Sequence, residues 1–358
     1  MADSPANRAA GRDLTGARLL VTGGAGFIGS NFVRLALARW PGARVHVLDA
    51  LTYAGNQANL VDVVDPSRLT FQHGDIRDPK AVAEAMEGVT HVINFAAESM
   101  VDRSIDDPGS FVLTDVYGAF VLLEEAKRRG VTRFVQISTD EVYGEILGDA
   151  ATEDYPLMPR NPYAASKAGG DRLAFAYHAT YGMPVVITRC SNNYGPYQYP
   201  EKLVPLFVTN ALEDEALPVY GSGKNTRDWI HVDDHCRAVA MLLEAEGVDG
   251  EVFNIGAGNE LDVLSITAEI LRLTGKPATL IRHVEDRPGH DRRYALSSTK
   301  LTMRTGWRPQ VEFAQGIAQT IEWYKARRDW WEPIKSGEFR QYYERMYGQR
   351  KVLGEAAG

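Results

Sequence analysis

The sequence predicts an α/β protein: a doubly wound parallel sheet with a smaller C-terminal lobe. Strand-like apolar runs alternate with helical patterns over the first 190 residues. The first run opens directly into a glycine-rich turn. After Pro196 the pattern shortens, and Pro, Tyr and Gly become frequent. A chain of 358 residues has room for one large α/β unit and a second, smaller one.

The apolar runs are Arg18–Thr22, Val45–Asp49, Leu69–His73, His91–Ala96, Phe134–Thr139 and Pro184–Arg189. They are short, rich in Val and Ile, and separated by stretches long enough for crossover helices, which favours parallel pairing. A sandwich or barrel needs more strands at closer spacing. The expected organisation is a flexible tail over 1–16 and a nucleotide-binding domain over 17–195, with return segments near 226–256. A mainly substrate-binding lobe follows over 196–340, then a tail over 341–358.

Composition narrows the class of function. Hydrophobic residues make up 44% and charged residues 24%, the balance of a soluble globular protein. No apolar run approaches the ~20 residues that span a bilayer. A formal charge of −8 speaks against a nucleic-acid surface. The polar N-terminus lacks the apolar core of an export signal, and Cys190 and Cys236 lie far apart without metal-ligand spacing. A cytoplasmic protein with reduced thiols and no metal is expected.

Arg18–Thr22 runs into Gly23-Gly24-Ala25-Gly26-Phe27-Ile28-Gly29. Gly23, Gly26 and Gly29 permit a tight turn and close backbone approach to a pyrophosphate. A helix starting near Phe27 and Ile28 aims its free N–H groups at the phosphates. Asp49 ends the second run, 20 residues after Gly29, where a carboxylate can hold an adenosine ribose. Ala50, Leu51 and Thr52 follow and offer no charge to a 2′-phosphate, so NAD is expected rather than NADP. Asp75 and Ile76, after the third run, border the adenine. The fold is therefore expected to be Rossmann-like.

The chemistry falls after the fifth run, in Ser138-Thr139-Asp140-Glu141-Val142-Tyr143-Gly144. Open α/β sheets place ligands at this carboxyl edge. Tyr163 and Lys167, spaced i and i+4, share a helix face. An ammonium beside a phenol favours phenolate, which can accept a hydroxyl proton while hydride leaves the same carbon. Asp140 and Glu141 add an acid and a base, which suggests an elimination beyond simple redox chemistry. Lys202, Arg227, Arg287 and His290 are cationic candidates for a diphosphate, with Arg able to bind it bidentately.

Thr139–Gly144 (TDEVYG), Ala96-Ala97-Glu98-Ser99, Tyr163–Lys167 (YAASK), Ser191–Gln198 (SNNYGPYQ) and Asp286–Asp291 (DRPGHD) resemble the extended short-chain dehydrogenase/reductase family. Within it they are similar to the nucleotide-sugar 4,6-dehydratase branch, over roughly residues 17–335. The resemblance implies NAD-dependent conversion of dTDP-glucose, or another NDP-glucose, to the 4-keto-6-deoxy sugar. It gives Thr139, Tyr163 and Lys167 the redox steps, Asp140 the departing 6-hydroxyl and Glu141 the C5 proton. Ala96, Ala97, Ser99, Tyr163, Lys167 and Asn193 would face the cofactor. Glu98, Thr139, Asn192, Lys202 and Leu203 would face the substrate. A homodimer through a helix bundle that includes residues 115–128 is also implied.

The chain departs from the family pattern in four places: Met100 stands for His, Asp115 for Asn, Ala119 for Thr and Val263 for a polar residue. They leave the nucleobase open. An NDP-sugar 4-epimerase or UDP-glucuronate decarboxylase starts with the same oxidation, but has no use for the Asp140–Glu141 pair. A protein that only senses NAD has no use for Tyr163 and Lys167.

Overall fold

The structure, a computed structural model, describes residues 11–63, 65–347 and 350–353. In the first half the strands are β1 Arg18–Thr22, β2 Arg44–Asp49, β3 Leu69–His73, β4 His91–Asn94, β5 Arg133–Thr139 and β6 Val185–Cys190. The second half contributes β7 Asn192–Tyr194, β8 Leu217–Tyr220, β9 Thr226–His231, β10 Val252–Ile255, β11 Glu260–Asp262 and β12 Ile281–Val284.

A seven-stranded parallel sheet runs in the order β10-β6-β5-β4-β1-β2-β3. Strand order reverses between β1 and β4, and ligands of open α/β sheets bind at such a switch point. Alternate side chains feed two cores, one on each face. Leu19 and Val21 join Phe32, Val33 and Val239 on one face. Leu20 joins Val92, Leu122 and Ile187 on the other. This period of two, with both faces covered by helices, explains why the strands read as continuous apolar runs. Thr22, Asn94 and Gln136 form a buried polar rung, with Thr22 Oγ1 donating to Asn94 Oδ1 at 2.6 Å and Asn94 Nδ2 to Gln136 Oε1 at 3.0 Å.

The second half forms its own core around Phe207, Trp229, Ile266, Ile317 and Trp331. Beside it stand two small sheets, β11-β9-β7 and β12-β8. The expected return of the chain to the main sheet is made by β10, which pairs with β6, whereas β9 stays outside it. Helix Val232–Glu244, between those strands, packs its apolar side on the β1 face.

The tails differ from their expected looseness where they are described. Leu14 is 2% exposed in the main core, and Arg12 N–H donates to the Glu244 carbonyl at 2.8 Å. Residues 338–347 form a helix whose Tyr347 stacks on Tyr220 with ring centroids 5.8 Å apart. Val352 then pairs with Val284. Apolar side chains with a core to join hold both segments down. Residues 1–10, 348–349 and 354–358 of the expected tails lie outside the described residues. Among the described residues no helix is long and apolar enough to cross a membrane.

One helix is irregular. Between helical residues Pro108–Phe111 and Ala119–Arg129, the turn Val112–Gly118 is π-helical, and Asp115 is buried within it. Single π-turns recur at functional sites. Gly170 of helix Pro162–Tyr181 presses against this turn, so close that a Cβ there would lie 2.4 Å from the Asp115 carbonyl oxygen.

Candidate active site

One cavity, partly open to solvent, lies along the carboxyl ends of β1, β2, β4 and β5. Its lining runs without a break from the glycine turn at Gly23 to Lys202, so the residues expected to face cofactor and substrate share one cavity.

The glycine turn forms one end. Gly23 has φ +65°, and a Cβ on it would meet the Ala96 nitrogen at 2.7 Å; a Cβ on Gly29 would meet the Gly23 carbonyl at 2.2 Å. Only glycine fits at either place. Helix Phe27–Arg39 begins there with no side-chain cap, leaving backbone donors for a diphosphate. Asp49, at the end of β2, accepts from Ala25 N–H at 2.9 Å and from Leu51 N–H at 2.8 Å. Burial raises its carboxyl pKa against the pull of these bonds. These residues fit a dinucleotide. Phe27, Ile28, Thr52, Asp75, Ile76, Ala96, Ala97, Ser99 and Asn193 also line the cavity. Leu51 does not: it has φ +48°, and its side chain turns into the main core.

At the centre stand Thr139, Asp140, Glu141, Tyr163 and Lys167. Thr139 ends β5 and caps the short turn that follows, with its Oγ1 accepting from Glu141 N–H at 3.3 Å and donating to Asp140 Oδ1 at 3.1 Å. Asp140 is 3% exposed, and its Oδ2 has no protein partner. Burial, with the neighbouring Glu141, holds its carboxyl pKa well above the ordinary range. Tyr163 lies in the first turn of helix Pro162–Tyr181, which Asn161 caps by accepting from Ala164 N–H at 2.8 Å. Burial pushes the Tyr163 phenol up; Glu141, Cys190 and Asp115 add to this, and the Thr139 hydroxyl opposes it. Lys167 is buried one turn on and donates to the Ile137 carbonyl at 2.8 Å.

Of the residues expected to face substrate, Glu98, Thr139, Asn192 and Lys202 line the cavity. Lys202 Nζ donates to the Ser99 carbonyl, and burial lowers its ammonium pKa. Four others lie outside the lining. Leu203 begins helix Leu203–Leu212 and packs on the lobe core. Arg227 donates to the carbonyls of Thr226, Asp291 and Arg292 and lies over the Tyr294 ring, 4.2 Å from its centroid. Arg287 stands 4.0 Å from Asp102, and His290 bonds Asp286 at 2.7 Å. Arg227 and Arg287 still act on Glu141 through space. All four departures from the family pattern are also absent from the lining: Met100 precedes the short helix Val101–Asp106, Val263 packs against the lobe core, and Asp115 and Ala119 are buried in the helical stretch around the π-turn.

Sequence reasoning missed several residues of the site. Tyr294 hydroxyl donates to Asp291 Oδ2 at 2.6 Å and stands 3.5 Å from Glu141 Oε2. Asn161 Nδ2 reaches the same Glu141 oxygen at 3.4 Å. Glu201 holds Arg103, whose guanidinium lies 3.8 Å from the Tyr53 ring centroid. Asn161 precedes a proline and the YxxxK helix, a capping signal that could have been read. The others meet the site only through long-range packing.

A glycine turn that fits a dinucleotide, sharing one cavity with Thr139, Tyr163, Lys167, buried Asp140 and half-buried Glu141, is the arrangement of a nucleotide-sugar dehydratase of the extended short-chain dehydrogenase/reductase class. The family model described as GDP-mannose 4,6 dehydratase matches residues 20–320. A dTDP-glucose 4,6-dehydratase of Streptomyces niveus is 52% identical over 323 residues, 89% of this chain and 96% of that protein. The crystal structure of DesIV, a dTDP-glucose 4,6-dehydratase from Streptomyces venezuelae with NAD and TYD bound, shares 55% identity. It covers 89% of this chain and 100% of its own, with a TM-score of 0.86. A UDP-glucose 4-epimerase of Thermus thermophilus in complex with NAD is 34% identical, covering 87% of this chain and 99% of its own, with a TM-score of 0.80. The chain belongs to the GDP-mannose 4,6 dehydratase family and, within it, to the dTDP-glucose 4,6-dehydratases.

Proposed function

We infer that the protein is an NAD-dependent hydro-lyase that converts dTDP-glucose to dTDP-4-keto-6-deoxy-glucose. The observation that carries this reading is buried Asp140 beside half-buried Glu141, both lining the same cavity as Tyr163. Gly23, Gly26, Gly29, Asp49 and the N-terminus of helix Phe27–Arg39 hold NAD, which when bound supplies reversible hydride transfer. Tyr163 accepts the C4 hydroxyl proton, and Thr139 orients that hydroxyl. The resulting C4 ketone acidifies the C5 hydrogen, which Glu141 removes. Asp140 stays protonated, because burial beside Glu141 disfavours a second charge, and it delivers its proton to the departing C6 hydroxyl. Glu98, Asn192 and Lys202 bind the nucleotide-sugar, with Arg227 and Arg287 as a second layer of positive charge.

We infer further that the protein is a cytoplasmic homodimer. Leu113, Tyr117 and Phe120 repeat at i, i+4 and i+7 and are 40–51% exposed. Phe175 and Tyr181 stand exposed on the adjacent helix Pro162–Tyr181. A second copy of this chain would cover this face, giving a homodimer across a helix bundle. The free, buried Cys190 and Cys236 suit a reducing cytoplasm.

Incubation with dTDP-, UDP-, CDP- and GDP-glucose, followed by mass spectrometry, tests the function. dTDP-glucose should lose one water. A product of unchanged mass with an inverted C4 would overturn the reading in favour of an epimerase.

A further inference from the structure

We propose that Asp115 is a positioning residue whose carboxylate raises the pH at which Tyr163 can accept the substrate proton. This rests on the assignment of Tyr163 as the base.

Asp115 sits in the π-helical turn Val112–Gly118, 4% exposed. One carboxylate oxygen accepts from Glu98 N–H at 3.1 Å and the other from Ser166 Oγ at 2.6 Å. Ser166 precedes Lys167 and lies three residues after Tyr163, so this bond ties the π-turn to the catalytic helix. The close approach allowed by Gly170 holds the two elements together.

An amide would meet the same geometric needs. Its oxygen could accept from Glu98 N–H and its NH₂ could donate to Ser166 Oγ, whose hydroxyl already has the Tyr163 carbonyl as an acceptor at 2.8 Å. Aspartate therefore differs from the Asn of the family pattern in charge rather than in scaffolding. That charge is buried against Ser166, which lies between Tyr163 and Lys167 on their helix. Asp115 is held up to about 6 by burial, with Lys167, Ser166 and Glu98 N–H pulling the other way. Above that pH it is ionised.

The groups that face Tyr163 come from several elements: Thr139 and Glu141 at the end of β5, Cys190 at the end of β6, and Asp115 from the π-turn. Those that face Asp115 are Lys167 and Ser166 on the helix and Glu98 after β4, itself flanked by Arg77, Arg103 and Asp107. A phenolate forming near a buried carboxylate is disfavoured, and the carboxylate also draws on the Lys167 ammonium that would stabilise it. Both effects move proton acceptance to higher pH.

The NAD-loaded protein and its Asp115→Asn, Asp115→Ala and Tyr163→Phe variants are mixed rapidly with dTDP-glucose across pH 5.5–9 (a range spanning about 6 and the neutral region), and first-turnover nicotinamide reduction is followed by absorbance. In Asp115→Asn the rise of rate with pH should move down by about one pH unit. Asp115→Ala should show the same displacement at lower amplitude, because Glu98 N–H loses its acceptor and Ser166 its tie to the π-turn. A fall in rate in both variants with the pH rise unmoved overturns the proposal and leaves Asp115 a structural residue. Near-parental reduction by Tyr163→Phe overturns the assignment of the base, and the proposal with it. An inert Tyr163→Phe beside an unmoved Asp115→Asn profile overturns the Asp115 proposal alone.

Discussion

Asp49 accepts the backbone N–H of Ala25 at 2.9 Å, so the carboxylate at the end of β2 fastens the glycine turn that follows β1. Its other oxygen holds Leu51 N–H. A single side chain thus sets the shape of the glycine turn and, in the proposed function, would also hold the ribose of NAD.

Asp49→Ala should therefore lose on two counts. The buried Ala25 N–H and the half-buried Leu51 N–H lose their acceptor, at a cost of about 1–3 kcal/mol in stability, and the ribose loses its partner. NAD released on denaturation should fall well below one per chain, with a lower Tm. Full NAD content in purified Asp49→Ala would contradict the assignment of the cofactor end.

Tyr163→Phe removes the proton acceptor and keeps the ring that stands edge-on to Phe111, with centroids 6.2 Å apart. Turnover of dTDP-glucose should fall ~100-fold or more, with Tm nearly unchanged. Comparable turnover would exclude Tyr163 as the base.

Asp140→Asn and Glu141→Gln should each leave part of the oxidation intact and stop the elimination. Both should accumulate nicotinamide absorbance on adding dTDP-glucose and release little product. In deuterium oxide, Asp140→Asn should still exchange the C5 hydrogen through Glu141, and Glu141→Gln should not; mass spectrometry reads both. Native dehydration rates in the two variants would reduce the carboxylates to loop residues.

Asp140 should also destabilise the fold at working pH. Its folded carboxyl pKa is raised by burial and by Glu141, so the native state holds a proton that the unfolded chain has released. Stability is then full below the ordinary carboxylate range and declines as pH rises toward the raised value. Asp140→Asn should melt higher than the parent at pH 8, and the gain should shrink as the pH falls toward the ordinary aspartate value of about 4. An equal Tm difference across that range would show that Asp140 is not strained by burial.

Leu113→Asp combined with Phe120→Asp places two charges on the exposed apolar face. Light scattering after gel filtration should show a dimer for the parent and a monomer for the variant. A parent that is monomeric at micromolar concentration would refute the homodimer.

The sheet was largely legible because a parallel strand buried on both faces leaves an apolar run with sharp ends. Arg18–Thr22 and Leu69–His73 were read to the residue, and the other four runs to within two. β10 is four residues of an ordinary-looking segment, and only its pairing with β6 makes it a strand. The second lobe looks irregular in sequence because its order comes from contacts between distant segments such as Phe207, Trp229 and Trp331.

The sequence by itself determined what depends on short covalent spacing: the glycine turn, the acid at the end of β2, the adjacency of Asp140 and Glu141, and the Tyr163–Lys167 pair one helical turn apart. Tertiary structure alone decided what depends on burial and distant contact. It set Tyr294 beside Glu141 across 153 positions of chain. It drew Arg227 toward the Asp291 and Arg292 carbonyls, and turned Leu51 and Met100 away from the cavity. It also placed Asp115 against Ser166, 51 residues on. Periodicity and motif spacing express forces that act within a few residues, whereas desolvation and hydrogen-bond satisfaction are properties of the packed chain. The protonation of Asp140 and Tyr163 belongs to that second kind.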